Sequence, residues 1–180
     1  MKSIITLICI SFLILLEGCS SVAVNYDYDS KFDFTHLKKY SWLPMPKDLQ
    51  ADELIVKRIQ SAIDRNLQDK GFVQTSNESD FVIALYISTH IKKELWESGG
   101  YGYRGYGRYG SHWSGNRIEI YEYEEGTVIV EIINASNKDL IWRGTGVGMV
   151  EHDLSPKARD KRIGQVVAEL LENFPPVIKE

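Results

Sequence analysis

Hydrophobic and polar residues alternate over residues 21–29, where Val22, Val24, Tyr26 and Tyr28 share one face at the period of a β-strand. A second short strand is expected over residues 39–43, stopped by Pro44 and Pro46. The period then changes. Over residues 52–70, Ile55, Ile59, Ala62, Ile63 and Leu67 fall on one stripe at helical spacing. Gly71 follows, a residue suited to the position just past a helix end. Lys57, Arg58, Asp64, Arg65 and Gln68 make up the opposite side and are expected to face solvent.

Residues 72–75 form another short strand candidate. A long alternation follows through Phe81, Ile83, Leu85, Ile87, Thr89 and Ile91. Residues 117–123 are again strand-like, Glu124-Glu125-Gly126 is expected to be a tight turn, and Val128, Val130 and Ile132 resume the alternation. A turn over residues 135–139 leads into a last strand over residues 140–150. There Gly144, Gly146 and Gly148 point to one face, which predicts that another element packs close to the backbone. Trp142 shares that face and is expected in the core, with Arg143 on the other side. The final helix is the clearest element. Ser155 is its N-cap and Pro156 its first residue; Ile163, Val166, Val167, Leu170, Leu171 and Phe174 repeat at i, i+3, i+4 and i+7 until Pro175-Pro176. Together these elements predict one α+β domain over residues 22–176. Its sheet is mostly antiparallel, of about six or seven strands, with two amphipathic helices covering one face.

The N-terminus bears on compartment. Met1-Lys2 precedes an apolar run over residues 4–16, too short for a membrane-spanning helix of about 20 residues but matching the charged start and apolar core of a secretory signal. Leu16-Glu17-Gly18-Cys19-Ser20 comes next and resembles the lipobox of bacterial lipoproteins. Leu16, Gly18 and Cys19 match it, whereas Glu17 stands where a small residue is usual. The resemblance implies cleavage after residue 18, acylation of Cys19 and a tether of residues 19–21. Ser20, in place of an aspartate, favours the outer membrane. An uncleaved anchor, or a buried apolar helix with a chance cysteine, is the alternative. Of the 2 cysteines, Cys9 would leave with the signal and Cys19 would be blocked, so no disulfide is expected. Net charge stays at −4 because Lys2 and Glu17 leave together, and it exerts no general pull on nucleic acid or anionic lipid.

Residues 96–116 read WESGGYGYRGYGRYGSHWSGN and differ from everything around them. They join two consecutive strands, so residues 97–116 are expected to form a hairpin loop inside the domain. Tyr101, Tyr103, Tyr106, Tyr109 and Trp113 with Arg104 and Arg108 are the candidate contact residues. Such rings and guanidiniums also serve single-strand nucleic-acid binders, but an exported, tethered domain meets little RNA. Stacking on sugar rings of peptidoglycan or lipopolysaccharide, or contact with an envelope protein, fits the compartment. A purely flexible tip is the plainer alternative.

The ordered motifs resemble a family of bacterial lipoproteins known as a domain of unknown function, DUF 4136. The resemblance runs through Tyr26-Asp27-Tyr28-Asp29, Asp33-Phe34 and Lys39-Tyr40-Ser41-Trp42-Leu43-Pro44. It continues through Arg58-Ile59, Ala62-Ile63, Leu67, Lys70-Gly71-Phe72 and Asp80-Phe81. It closes on Glu125-Gly126-Thr127-Val128, Leu140-Ile141-Trp142-Arg143-Gly144 and Phe174-Pro175-Pro176. Glu131 and Asn134 stand where members often carry aspartates. The resemblance implies a fold and a location, and no reaction.

Catalytic chemistry finds little support in the sequence. His36, His90, His112 and His152 fall in different predicted elements, without i, i+4 pairing, and no serine occupies a Gly-x-Ser-x-Gly elbow. His90, Glu94 and Trp96 could meet a ligand at the loop base. Asp27, Asp29 and Asp33 cluster, but no glycine lies between Val22 and Pro44 to shape a calcium loop, so turn aspartates are expected. No metal and no cofactor are expected. The sequence therefore predicts an outer-membrane, palmitate-bearing lipoprotein with a non-catalytic binding or structural role, held to the membrane at Cys19. Two rivals remain: a periplasmic hydrolase with the Gly/Tyr loop as lid, which requires two histidines and a carboxylate in one cleft, and a subunit of an envelope complex, which requires an apolar patch on the uncovered sheet face.

Overall fold

A computed structural model of the chain describes residues 22–45, 51–98 and 117–177. In chain order the elements are β1 (Val22–Tyr28), a 3-10 turn (Phe34–His36), β2 (Lys39–Trp42), α1 (Glu53–Asp69), β3 (Val73–Gln74), β4 (Phe81–Ser98), β5 (Arg117–Asn134), β6 (Leu140–Met149) and α2 (Pro156–Leu170). Six strands make one sheet in the order β1-β6-β5-β4-β2-β3. β1 with β6, β6 with β5 and β5 with β4 pair antiparallel. β2 pairs parallel with both β3 and β4, because α1 carries the chain back before β3 begins. The α+β reading with a mostly antiparallel sheet stands.

Helix ends follow local chemistry. Asp52 accepts hydrogen bonds from the backbone N–H of Leu54 and Ile55 and so caps α1. Gly71 closes it at φ +89°, where Phe72 N–H reaches back to the Leu67 carbonyl at 2.9 Å. Ser155 Oγ accepts from Ala158 N–H to cap α2, with Pro156 in its first turn.

Alternation sorts the sheet into two faces. On the helix side, row by row, stand Ile83, Ile132, Trp142 and Tyr28, then Leu85, Val130, Gly144 and Tyr26, then Ile87, Val128, Gly146 and Val24. Against these pack Ile59, Ile63 and Leu67 of α1 and Val167 and Leu170 of α2, with Leu171 and Phe174 beyond it. Trp142 is fully buried. Its ring occupies the space a side chain on Gly144 would take, and Leu170 of α2 presses on the same spot. The glycine column thus admits both an aromatic ring and a helix.

The expected turn at Glu124-Glu125-Gly126 is absent. β5 runs unbroken from Arg117 to Asn134. Gly126 sits between Thr89 and Gly148 in the middle of the sheet, where a Cβ would lie only 3.1 Å from Val150. Its two acidic neighbours point to opposite faces and find partners: Glu124 with His152 at 2.8 Å and Glu125 with Lys92 at 2.7 Å.

Two residues expected in solvent are tied down. Asp64 Oδ1 accepts hydrogen bonds from Tyr40 Oη and Trp42 Nε1, both at 2.9 Å. Arg58 Nε donates to Asp160 Oδ1 at 2.7 Å and links α1 to α2. Each lies at the border of the helix's buried stripe, where a side chain can reach a neighbouring element.

Candidate functional site

Between α1, α2 and one end of the sheet lies a cavity of about 490 Å³. Its floor is Ile87, Thr89, Gly126, Val128, Gly146 and Gly148, and Val22 closes one side. Leu54, Ile55 and Ile59 supply the α1 wall; Ile163, Val166, Val167 and Leu170 supply the α2 wall. The floor is broad because three of its residues lack side chains. A Cβ on Gly146 would make only ordinary contact, 3.6 Å from Leu170 and 3.8 Å from Val166.

The charged lining is partly solvent-exposed and forms a rim. His152 Nε2 lies 2.8 Å from Glu124 Oε2, Arg162 Nε lies 3.3 Å from Glu151 Oε1, and Arg159 Nη2 donates to the His152 carbonyl at 2.9 Å. Arg58, also on the rim, holds Asp160. The rim is a set of polar and charged side chains hydrogen-bonded to one another or to the backbone over an apolar interior, an arrangement that can exclude water from a hydrocarbon while offering hydrogen bonds to a polar head.

Cys19, Tyr101, Tyr103, Arg104, Tyr106, Arg108, Tyr109 and Trp113 all lie outside the described residues. The cavity walls were legible as core positions of two helices, but the gap between those helices depends on how far apart they sit, which no local pattern carries. Arg58, Glu124, His152 and Arg162 were missed as site residues for the same reason.

The described histidines do not converge. His152 is at the cavity rim. His36 pairs with Asp33 at 2.9 Å beside the 3-10 turn. His90 is exposed on β4, opposite Glu125. Glu94 turns to Tyr123, whose hydroxyl donates to it at 2.8 Å and is thereby held above the ordinary tyrosine pKa. The two-histidine cleft a hydrolase requires is therefore not formed among the described residues. Nor does any group of three or more His, Cys, Asp or Glu side chains gather there as metal ligands. Of the early aspartates, Asp29 and Asp33 serve turns as expected, whereas Asp27 lies inside β1 opposite Arg143. Asp27 and Asp29 accept from the backbone N–H of Tyr28 and Lys31, and Asp33 caps the 3-10 turn. Hydrogen bonds from Thr35 hold the Asp33 carboxyl below its usual pKa.

The open sheet face carries Tyr86, 44% exposed, among half-buried Val82, Ile129, Ile133 and Val147, with Arg143 paired to Glu131 across it. This is a mixed surface.

One sheet covered on one side by two helices, with an apolar cavity at the sheet's end, defines a small α+β domain. The chain belongs to the family described as a domain of unknown function, DUF4136, whose profile matches residues 24–176. No curated protein is similar enough in sequence to count as a match. Among solved structures, a PDZ domain protein from Parabacteroides distasonis aligns with a TM-score of 0.58 at 14% identity, covering 95% of this chain and 40% of that one. This chain therefore spans well under half of that protein. A PelC variant from Paraburkholderia phytofirmans, a dodecamer, aligns with a TM-score of 0.50 at 13% identity, covering 83% of this chain and 94% of that one. At such identities the likeness is one of fold.

Proposed function

We propose that this protein is an outer-membrane lipoprotein, held through acylated Cys19 and facing the periplasm, that binds an apolar or amphipathic ligand and performs no catalysis. The cavity carries the reading. Its 490 Å³ falls within the range of small-molecule pockets, about 300–1,000 Å³. Its interior is aliphatic, its charges are confined to the rim, and no described nucleophile and base meet inside it. A ligand with an acyl or similar chain and a small polar head matches that distribution. Titration of the mature protein with a fluorescent fatty-acid analogue tests it. Saturable binding that Gly146→Val weakens, with cooperative unfolding retained, supports the reading; no binding, or binding the variant leaves unchanged, contradicts it.

The Gly/Tyr loop with Tyr101, Tyr103, Arg104, Tyr106, Arg108, Tyr109 and Trp113 is the proposed contact for peptidoglycan, lipopolysaccharide or an envelope protein. Deleting residues 99–115 should lower pulldown by at least one of these, and an unchanged pulldown by all three would sink this part of the proposal.

A further inference from the structure

β4 and β5 outrun the rest of the sheet. Their pairing continues from Lys92↔Tyr123 to Ser98↔Arg117, whereas β6 ends at Met149 opposite Glu125 and β2 leaves β4 at Ile83. The result is a two-stranded arm about 24 Å long at 3.4 Å per residue. Along its helix-side face, Ile91 at the root and Leu95 and Ile120 further out are 72%, 70% and 62% exposed, and Tyr121 on the reverse is 53% exposed. A lone two-stranded ribbon is marginal in water, and large exposed apolar side chains in a row mark a contact surface.

Chain direction indicates what lies at the arm's end. β1 and β5 each run antiparallel to β6 and so run parallel to each other. Followed backward from Val22, the chain leaves the sheet on the side toward which the arm extends. Gly148 pairs with both Val22 and Gly126, so the exit is level with the arm's root. Three residues place Cys19 at most about 10 Å beyond Val22, which is less than half the arm's reach.

The geometry points to the arm as a second membrane contact, with Ile91, Leu95, Ile120 and Tyr121 lying in the headgroup region of the bilayer that holds acylated Cys19. This rests on the lipid-anchor reading of Cys19. A bilayer surface within about 10 Å of the sheet end leaves the outer half of the arm no aqueous space in its own direction. Unpaired strand edges are not tolerated in hydrocarbon, so the arm lies along the interface, the depth at which tyrosine is favoured. Both lysines at its root are paired: Lys92 with Glu125 at 2.7 Å, and Lys93 with Glu122 at 2.5 Å on the face between Ile91 and Leu95.

The test uses the lipidated protein in vesicles of phosphatidylethanolamine and phosphatidylglycerol, carrying a fluorophore at Leu95→Cys or at Val73→Cys. Val73 is 59% exposed and pairs with Lys39, at the sheet end away from the arm. Once the signal is removed and Cys19 acylated, the introduced thiol is the only one. Nitroxide-bearing lipids should quench the Leu95 label several-fold more than the Val73 label. Equal quenching of the two labels on protein that floats with the vesicles overturns the inference while leaving the anchor intact. Self-quenching between Leu95 labels without lipid quenching also overturns it, and assigns the surface to a second copy of the chain. Protein that fails to float with vesicles defeats the anchor reading, and this inference with it.

Discussion

Lys70 Nζ, just past the end of α1, donates a hydrogen bond of 2.6 Å to the carbonyl oxygen of Phe174, and a second to the carbonyl of Leu171 at the end of α2. The last carbonyls of a helix have no partner within it, so one ammonium closes the second helix from the first. The same corner buries Phe174 against Phe72, Phe81 and Trp142, with ring centroids 5.6, 5.8 and 5.3 Å away.

Lys70→Met keeps the aliphatic stem and removes the donors. The variant should lose about 1–3 kcal/mol of stability, the cost of taking the charged donor from the Phe174 carbonyl, while the Leu171 carbonyl keeps the Phe174 N–H at 3.0 Å. Urea denaturation reads this as a lower midpoint at unchanged slope. An unmoved midpoint would show that water replaces the ammonium without loss.

Two glycine substitutions should move stability in opposite directions. At Gly144, a methyl group meets the Trp142 ring and lies 3.2 Å from Leu170, so Gly144→Ala should destabilise by about 1–3 kcal/mol through overpacking. At Gly164, inside α2, nothing lies within 4 Å of the added carbon, and Gly164→Ala should stabilise by about 0.5–1 kcal/mol. Thermal melts of the pair decide it. A shift in the same direction for both would contradict the packing described.

Tyr40 gives the fold an alkaline limit. Burial, and then its hydrogen bond to Asp64, push its phenol well above the ordinary range. The folded state thus favours the protonated form, and this contribution is fully present below about pH 10, the unfolded tyrosine value. It is lost as pH rises toward the folded value. Stability measured by denaturant should therefore fall more steeply above about pH 10 in the wild type than in Tyr40→Phe. Parallel alkaline limbs would mean that the Tyr40 phenol ionises as readily folded as unfolded.

Local pattern carried most of the fold. The helices were legible because Asp52, Gly71, Ser155 and Pro156 mark their ends and the stripes between are regular. The glycine column on β6 announced a close neighbour, and that neighbour is Trp142 with α2. What failed to show locally depended on partners far along the chain. Glu124-Glu125-Gly126 has turn composition, yet it becomes strand because His152, Lys92 and Val150 complete it from elsewhere. Asp64 and Arg58 looked solvated until β2 and α2 came alongside. The cavity was invisible because it is a distance between two helices, and the arm because the ends of β2 and β6 define it.

Everything proposed about binding depends on where the domain is held. Palmitate labelling and membrane fractionation of the wild type beside Cys19→Ser test this most directly. Label and outer-membrane location are expected in the wild type, and both should be lost in the variant. A variant that keeps its location, or a wild type that takes no label, would contradict the anchor and return the Tyr/Arg loop to consideration as a nucleic-acid contact.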